Sequence, residues 1–395
     1  MKNWKSPKII IGSKAIGKDY YNRTDIENLI IEEIKKGNHI NIAAPRRVGK
    51  TSVVYYISKN KLQDYHCIFK SIQSLQSADG VYKQVYELIL SSFSSNTQAK
   101  KKFKNYFSKI GIKNISLKGI EFTDKRDINY SKEIENICTE LIAHNEKVVL
   151  FIDELPDVLY FINEHKTKEE AIHLLKTFRN WRQNPPFKNL TLVLTGSIGF
   201  HHIVKMIEGR ATDLNDLNNI KFEAFTKKQA KKYIYHVTKD ATITYSDSLV
   251  NYIIKKVSYL IPYFINLILR EVDQIVKKND NLKITKRLID SAFDIIVKEN
   301  KDFKDWKDRL FEYFTENEAR FMNEILVYLA HFDTLSLRRL YDLAIKYKRD
   351  IDYMSFVEIL ENDGYIVENN QTYSFISPFL KAFWKKDQPI YTETK

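Results

Sequence analysis

Short blocks of apolar residues alternate with stretches of helical periodicity through the first 225 positions. Five blocks read as strands: 39–43, 65–70, 148–152, 190–195 and 220–223. Each is mostly apolar and ends in a polar, Gly or Pro residue, as strands buried on both faces do. Strands that alternate with helices predict a parallel sheet with crossover connections. Between the second and third blocks, 94–131 is rich in Lys and Asn and reads as an elaboration on that sheet.

From about residue 226 the pattern turns helical. Thr226 stands as a cap before a helix running through Gln229 and Tyr233. Val250, Ile253, Ile254 and Val257, then Phe264, Leu267 and Ile268, recur at helical spacing. In the last segment, Phe321, Ile325, Leu326 and Leu329 mark one face of a helix over 318–330. Helices over 336–347, capped by Ser336, and 353–361 follow. After Gly364 come a strand over 365–368, a turn at Asn369-Asn370 and a strand over 372–376, a hairpin signal. Three helices and a hairpin in that order predict a winged helix. The expected division is a core over 1–225, a helical lid over 226–302 and a winged-helix domain over 303–395.

A chain of 395 residues is long enough for two or three domains. With 44% hydrophobic residues, 24 Tyr and 23 Phe it carries material for several cores, which excludes disorder as the dominant state. The longest apolar runs fall far short of the roughly 18 residues a membrane span needs. Ile9-Ile10-Ile11 is too short for a signal-peptide core. Cys67 and Cys138 match no metal spacing and read as ordinary thiols of a reduced, cytoplasmic protein. The net charge of +13 invites a nucleic-acid reading, but its placement is uneven. From Leu310 onward 10 Lys+Arg face 14 Asp+Glu, against 53 and 36 before it. The clusters at Lys100-Lys101-Lys102 and at Lys227, Lys228, Lys231 and Lys232 fit solvated helix faces better than a polyanion patch.

Three motifs carry chemistry. Ala44-Pro45-Arg46-Arg47-Val48-Gly49-Lys50-Thr51-Ser52 follows the first strand and opens a helix, matching G-x-x-x-x-G-K-[ST] with Ala44 for the first Gly. Gly49 lets the backbone approach phosphates, and the N–H groups with the helix N-terminus form a positive cradle. Lys50 places an ammonium between β- and γ-phosphates, and Thr51 offers a hydroxyl to Mg²⁺. The second motif, Val148-Val149-Leu150-Phe151-Ile152-Asp153-Glu154, is a buried strand ending in two carboxylates. Asp153 would hold Mg²⁺ through water, and Glu154 would orient and deprotonate an attacking water. The third, Leu192-Val193-Leu194-Thr195-Gly196-Ser197, ends a strand expected between the other two, where Thr195 or Ser197 would reach the water or the γ-phosphate. His201-His202 lack partners for a metal site and read as surface histidines.

With these motifs in hand, the chain resembles the AAA+-like archaeal-type ATPases, close to the STAND (signal-transduction ATPase) clade. The residues that carry the resemblance are Ala44 to Ser52, Phe151 to Glu154, Thr195 to Ser197, and Asp363-Gly364-Tyr365-Ile366 before the wing. It implies an α/β P-loop NTPase with a helical lid and a C-terminal winged helix, binding ATP and Mg²⁺. By position, Tyr20-Tyr21-Asn22-Arg23 occupies the entry box, with Asn22 where Gly is usual, and points to Arg23 as a nucleotide contact. Leu260-Ile261-Pro262-Tyr263 resembles the lid segment near adenine, with Leu260 where Gly is usual, and points to Pro262. Arg179, Arg182 and Arg210 are the candidates for a finger supplied by a neighbouring subunit, and Arg270 for a lid sensor that more simply reads as a helix-surface arginine.

The resemblance implies a slow ATPase acting as a nucleotide-controlled switch, with self-association or a protein partner engaged through the lid and winged helix. A DNA-associated loader or transposition-type ATPase and a nucleotide-bound scaffold are the alternatives. DNA is disfavoured because 351–362, where a base-reading helix would lie, carries Asp352, Glu358 and Glu361 and no Lys or Arg.

Overall fold

A computed structural model describes residues 4–93, 96–116, 119–122, 128–196, 199–279 and 283–392. The chain forms two compact units: Asn22–Ala44 with Lys50–Phe222, and Met1–Tyr21 and Pro45–Gly49 with Glu223–Lys395.

The first unit is built on a parallel sheet of β1 (Ile40–Ala43), β2 (His66–Ser71), β5 (Val148–Asp153), β6 (Leu190–Gly196) and β7 (Asn218–Asn219), in the order β2-β5-β6-β1-β7. β3 (Ile112–Ser116) and β4 (Gly119–Phe122) form a separate antiparallel hairpin. Every residue of β5 and β6 is buried, which explains their unbroken apolar runs: no face is left for polar alternation. The last strand is shorter than the sequence predicts and lies two residues earlier. Asn41 and Asn219 join side chains at 2.8 Å, and the Ile220 N–H donates to the Asn41 carbonyl at 2.9 Å. Ile220 and Phe222, which made 220–223 look like a strand, are instead buried as irregular chain.

Within the Lys-rich elaboration, the helices Thr97–Lys102 and Lys104–Lys109 are pinned by stacked Phe93, Phe103 and Phe107. Lys102 is paired with Glu146 rather than free for a polyanion.

The second unit begins its helices at Lys227–Thr238, where Thr226 and Gln229 form a reciprocal capping box. Helices Asp247–Val257, Pro262–Lys278 and Lys286–Glu299 follow, with Val250, Ile253, Ile254, Val257, Phe264, Leu267 and Ile268 all buried. After Asp302–Tyr313 come a helix Glu316–Phe332, a strand β8 (Leu335–Ser336), helices Leu337–Lys346 and Tyr353–Asn362, and the hairpin β9 (Ile366–Asn369) and β10 (Thr372–Phe375), the order in which a winged helix is built. The pairing of Asn369 with Thr372 makes Asn370 and Gln371, both left-handed, the turn residues. The turn therefore starts one residue later than the Asn-Asn pair suggests, because a primed turn needs positive φ at both of its central positions. The helices Pro262–Lys278 and Lys286–Glu299 and the closing helix Pro378–Asp387 share one aromatic core, with Phe379 5.2 Å from Phe264 and 4.5 Å from Phe293. Among the described residues no helix is long and apolar enough to cross a membrane.

Candidate functional site

The register of the sheet brings the sequence motifs together. Asp153 pairs with Thr195 across β5 and β6, and Ala43 with Gly196 across β6 and β1, so all three strands end at one level. The helix Lys50–Asn60 starts there. Its Thr51 hydroxyl donates to Asp153 Oδ2 at 2.9 Å, and the Thr195 hydroxyl donates to Asp153 Oδ1. Lys50, itself buried, donates its ammonium to the Ala44 carbonyl. Asp153 is 3% exposed. Burial, and then the charge of Glu154, push its carboxyl above the usual range, while the two hydroxyls and Lys50 pull the other way. A buried carboxylate beside a hydroxyl is the oxygen donor set that a hard divalent cation takes, so these residues fit Mg²⁺.

Glu154 stands in a left-handed conformation (φ 65°, ψ 34°), and its N–H donates to the Thr195 carbonyl at 2.8 Å. The strand therefore stops at Asp153, and the helix Leu155–His165 begins without a change of level. Such a backbone costs a non-glycine residue of order 1–3 kcal/mol and persists where surrounding structure imposes it. Ser197 lies outside the described residues.

Pro45–Gly49, between β1 and the Lys50 helix, belong to the same compact unit as Glu223–Lys395. Gly49 (φ 103°) and Arg47 (φ 64°) are both left-handed. Alternate residues meet C-terminal partners. A Cβ on Gly364 would lie 2.8 Å from Pro45, and one on Gly49 would lie 4.0 Å from Pro262. Arg47 Nη1 donates to Asp302 Oδ2 at 2.6 Å, with the guanidinium 4.3 Å over the Tyr263 ring. Val48 is buried, and the charge of Arg46 acts on the Tyr365 hydroxyl. Ser52 continues the first turn of the helix. Asp302 and Tyr263 were not legible as loop partners, since nothing in the sequence links residues some 250 positions apart.

Arg23 is buried, its guanidinium 5.1 Å from the Phe222 ring centre and its N–H bonded to Glu27 at 2.7 Å. Arg182 is also buried, its fork bonded to both Asp216 oxygens at 2.7 and 2.9 Å. That pairing consumes the guanidinium in holding the sheet unit together. Arg179 is joined to Asp213, whereas Arg210 and Arg270 are exposed. Beside Arg182, His39 accepts the Leu192 N–H at 3.0 Å, and burial, then Arg182, lower its pKa to about 4. His201 is exposed and His202 half-buried, and no cluster of three metal-ligating side chains occurs among the described residues. Burial pushes the Cys67 thiol up to about 12, so it stays protonated and inert.

A parallel sheet in this order, with a Gly-Lys-Thr loop after β1 and Asp-Glu at the end of β5, defines an AAA+-like P-loop NTPase. A family model described as an AAA-like domain matches residues 14–293, and the chain belongs to that family. In fold it is similar to a Walker-type ATPase of Pyrococcus abyssi, at 18% identity and TM-score 0.59, covering 96% of this chain and 99% of that one. It is likewise similar to the ORC2 protein of Aeropyrum pernix, solved as ADPNP and ADP complexes, at 10% identity and TM-score 0.52 over 92% of this chain and 91% of that one. No curated protein matches the chain.

Proposed function

We propose that the protein is a slow Mg²⁺-dependent ATPase acting as a nucleotide-controlled switch. The observation that carries this reading is the single buried carboxylate, Asp153, that takes the Thr51 hydroxyl on one oxygen and the Thr195 hydroxyl on the other. In this reading the backbone of Ala44 to Ser52 cradles the phosphates, with Arg46 and Arg47 adding charge. Lys50 exchanges the Ala44 carbonyl for the β- and γ-phosphate oxygens. Thr51 and Asp153 hold the metal, which when bound neutralises charge across those oxygens. Glu154 accepts the proton of the attacking water. Thr195, whose proton is given to Asp153, keeps its oxygen lone pairs for that water. Arg23 and Pro262 border the nucleotide, the first from the entry box and the second from the lid.

The division into a core over 1–225, a lid over 226–302 and a winged helix over 303–395 belongs to the same reading, with the last two parts reporting nucleotide state to a second copy or a protein partner. Of the arginines considered as a finger, Arg179 and Arg182 are joined to Asp213 and Asp216, and Arg210 is exposed. Duplex DNA is the weaker alternative. Arg349 is occupied by Asp352 at 3.1 Å and Glu318 at 3.4 Å, and Arg338 by Asp342 at 3.4 Å, so two of the basic residues near the third helix are already engaged.

The test is titration with a fluorescent ATP analogue in Mg²⁺, alongside mass photometry with ADP and with a non-hydrolysable ATP analogue. Saturable binding lost in Lys50→Ala, and an assembly that differs between the two nucleotides, are expected. Absence of affinity for any purine triphosphate would sink the reading, while binding without a change in assembly leaves an ATPase that is not a switch.

A further inference from the structure

The loop assigned to phosphate carries an arginine that already has a counter-ion. Arg47 lies at the loop's midpoint, in a left-handed backbone that turns its side chain to the Asp302 carboxylate at 2.6 Å and brings Asp305 within 3.9 Å. The contact is built by several groups. The guanidinium lies over the Tyr263 ring, the Tyr263 hydroxyl donates to the same Asp302 oxygen at 3.1 Å, and Asn300 donates to that hydroxyl at 3.2 Å. Asn300 Oδ1 in turn accepts the Asp302 N–H at 2.9 Å, so the start of the helix Asp302–Tyr313 is tied into the network. Arg47 and Asp302 are only half-buried, with side chains 22% and 39% exposed. A contact that open to water is weak enough to be exchanged for another anion.

We propose that Arg47 is a two-position latch. It grips the Asp302 carboxylate when no polyphosphate occupies the loop and leaves it when triphosphate enters, freeing the segment that leads into the winged helix. The proposal rests on the reading of Ala44 to Ser52 as a phosphate loop. With Nη1 on Asp302 and Nη2 turned to Asp305, the end of the guanidinium faces the two carboxylates, so an entering phosphate competes with them for it. Competition is reciprocal: removing the carboxylate must tighten nucleotide binding, and binding nucleotide must loosen the carboxylate's segment. A purely structural ion pair has the opposite signature, since its loss would disorder the loop and weaken binding.

Hydrogen–deuterium exchange over 300–313 in the full chain, with and without MgATP, is read beside an ATP titration of the same samples. MgATP is expected to raise exchange at 302–305. Asp302→Asn should raise it without nucleotide and tighten ATP about fivefold, the low end of measured couplings between sites. Should Asp302→Asn fail to fold, Asp305→Asn carries the test, with a smaller tightening expected from its longer contact. Arg47→Ala should free 302–305 and weaken ATP. ATP binding with unchanged exchange, or wild-type affinity in the Asp variant that folds, overturns the latch and leaves the nucleotide reading standing. No ATP binding by the wild type overturns both, and the titration identifies which failed first.

Discussion

The two halves of the loop region are held in contrasting ways. Lys50 and Thr51 sit on the sheet's edge among groups that are buried: Lys50 at 6%, Asp153 at 3% and Thr195 at 2% exposure. Their positions follow from strand register and tolerate little adjustment, because a buried carboxylate that loses a donor keeps its desolvation cost. Pro45 to Gly49 are held by a glycine turn, a proline ring and a water-accessible ion pair within their own unit. Burial raises the Asp302 carboxyl, but the hydrogen bond and charge of Arg47 outweigh it and leave it below its usual range. One half is buried and fixed by hydrogen bonds; the other is held by an ion pair that water reaches.

The largest break in this contrast is Glu154→Gln, which should lower ATP turnover roughly 10²–10⁴-fold, the usual worth of a positioned general base. Nucleotide affinity should stay within error, and equal turnover in a steady-state assay contradicts the role given to Glu154. Phe379→Ala removes a ring from the aromatic core of the C-terminal unit and should cost about 3–5 kcal/mol. Calorimetry should then resolve a separate early transition for that unit, and one undivided transition argues against independent cores.

The sheet unit has its own handle in His39. Its folded pKa of about 4 lies below the ordinary value of 6.5, so the native state binds fewer protons between those values. Stability should therefore be full above about pH 6.5 and fall as pH drops towards 4, by up to ~3 kcal/mol from this group. Urea melts at pH 7 and pH 5 followed by probes in β6 test it, and a higher midpoint at pH 5 contradicts the assignment.

Gly364→Ala adds a methyl at φ 77° against Pro45 and should cost about 1–3 kcal/mol, read as a lower melting temperature with weakened nucleotide binding. The smallest effect sharpens the comparison. Glu154→Gly relieves a left-handed non-glycine backbone and should raise stability by about 0.5–1 kcal/mol while abolishing turnover.

Most of the sheet was legible because β5 and β6, buried on both faces, display continuous apolar runs. β7 was misplaced because Ile220 and Phe222 are buried although the residue pairing with β1 ends at Asn219. The hairpin β3–β4 left no comparable trace, being short and set in a Lys- and Asn-rich stretch. Among the motif residues, Thr51 and Asp153, named from the sequence some hundred positions apart, meet in the structure by a hydrogen bond. Arg182 looked available as a finger and turned out to be spent on Asp216, since a sequence shows a guanidinium but not its counter-ion.

By itself the sequence determined the family, the parallel sheet, the amphipathic helices that follow it and the residue types of the three motifs. These are recorded in local periodicity and in contiguous motifs, which chemistry constrains at short range. Only the tertiary structure decided what Arg47 grips, which glycine supports Pro45 and how Glu154 is turned. Each depends on partners brought together by the packing of distant segments, and a pairing of that kind leaves no period or spacing in the chain.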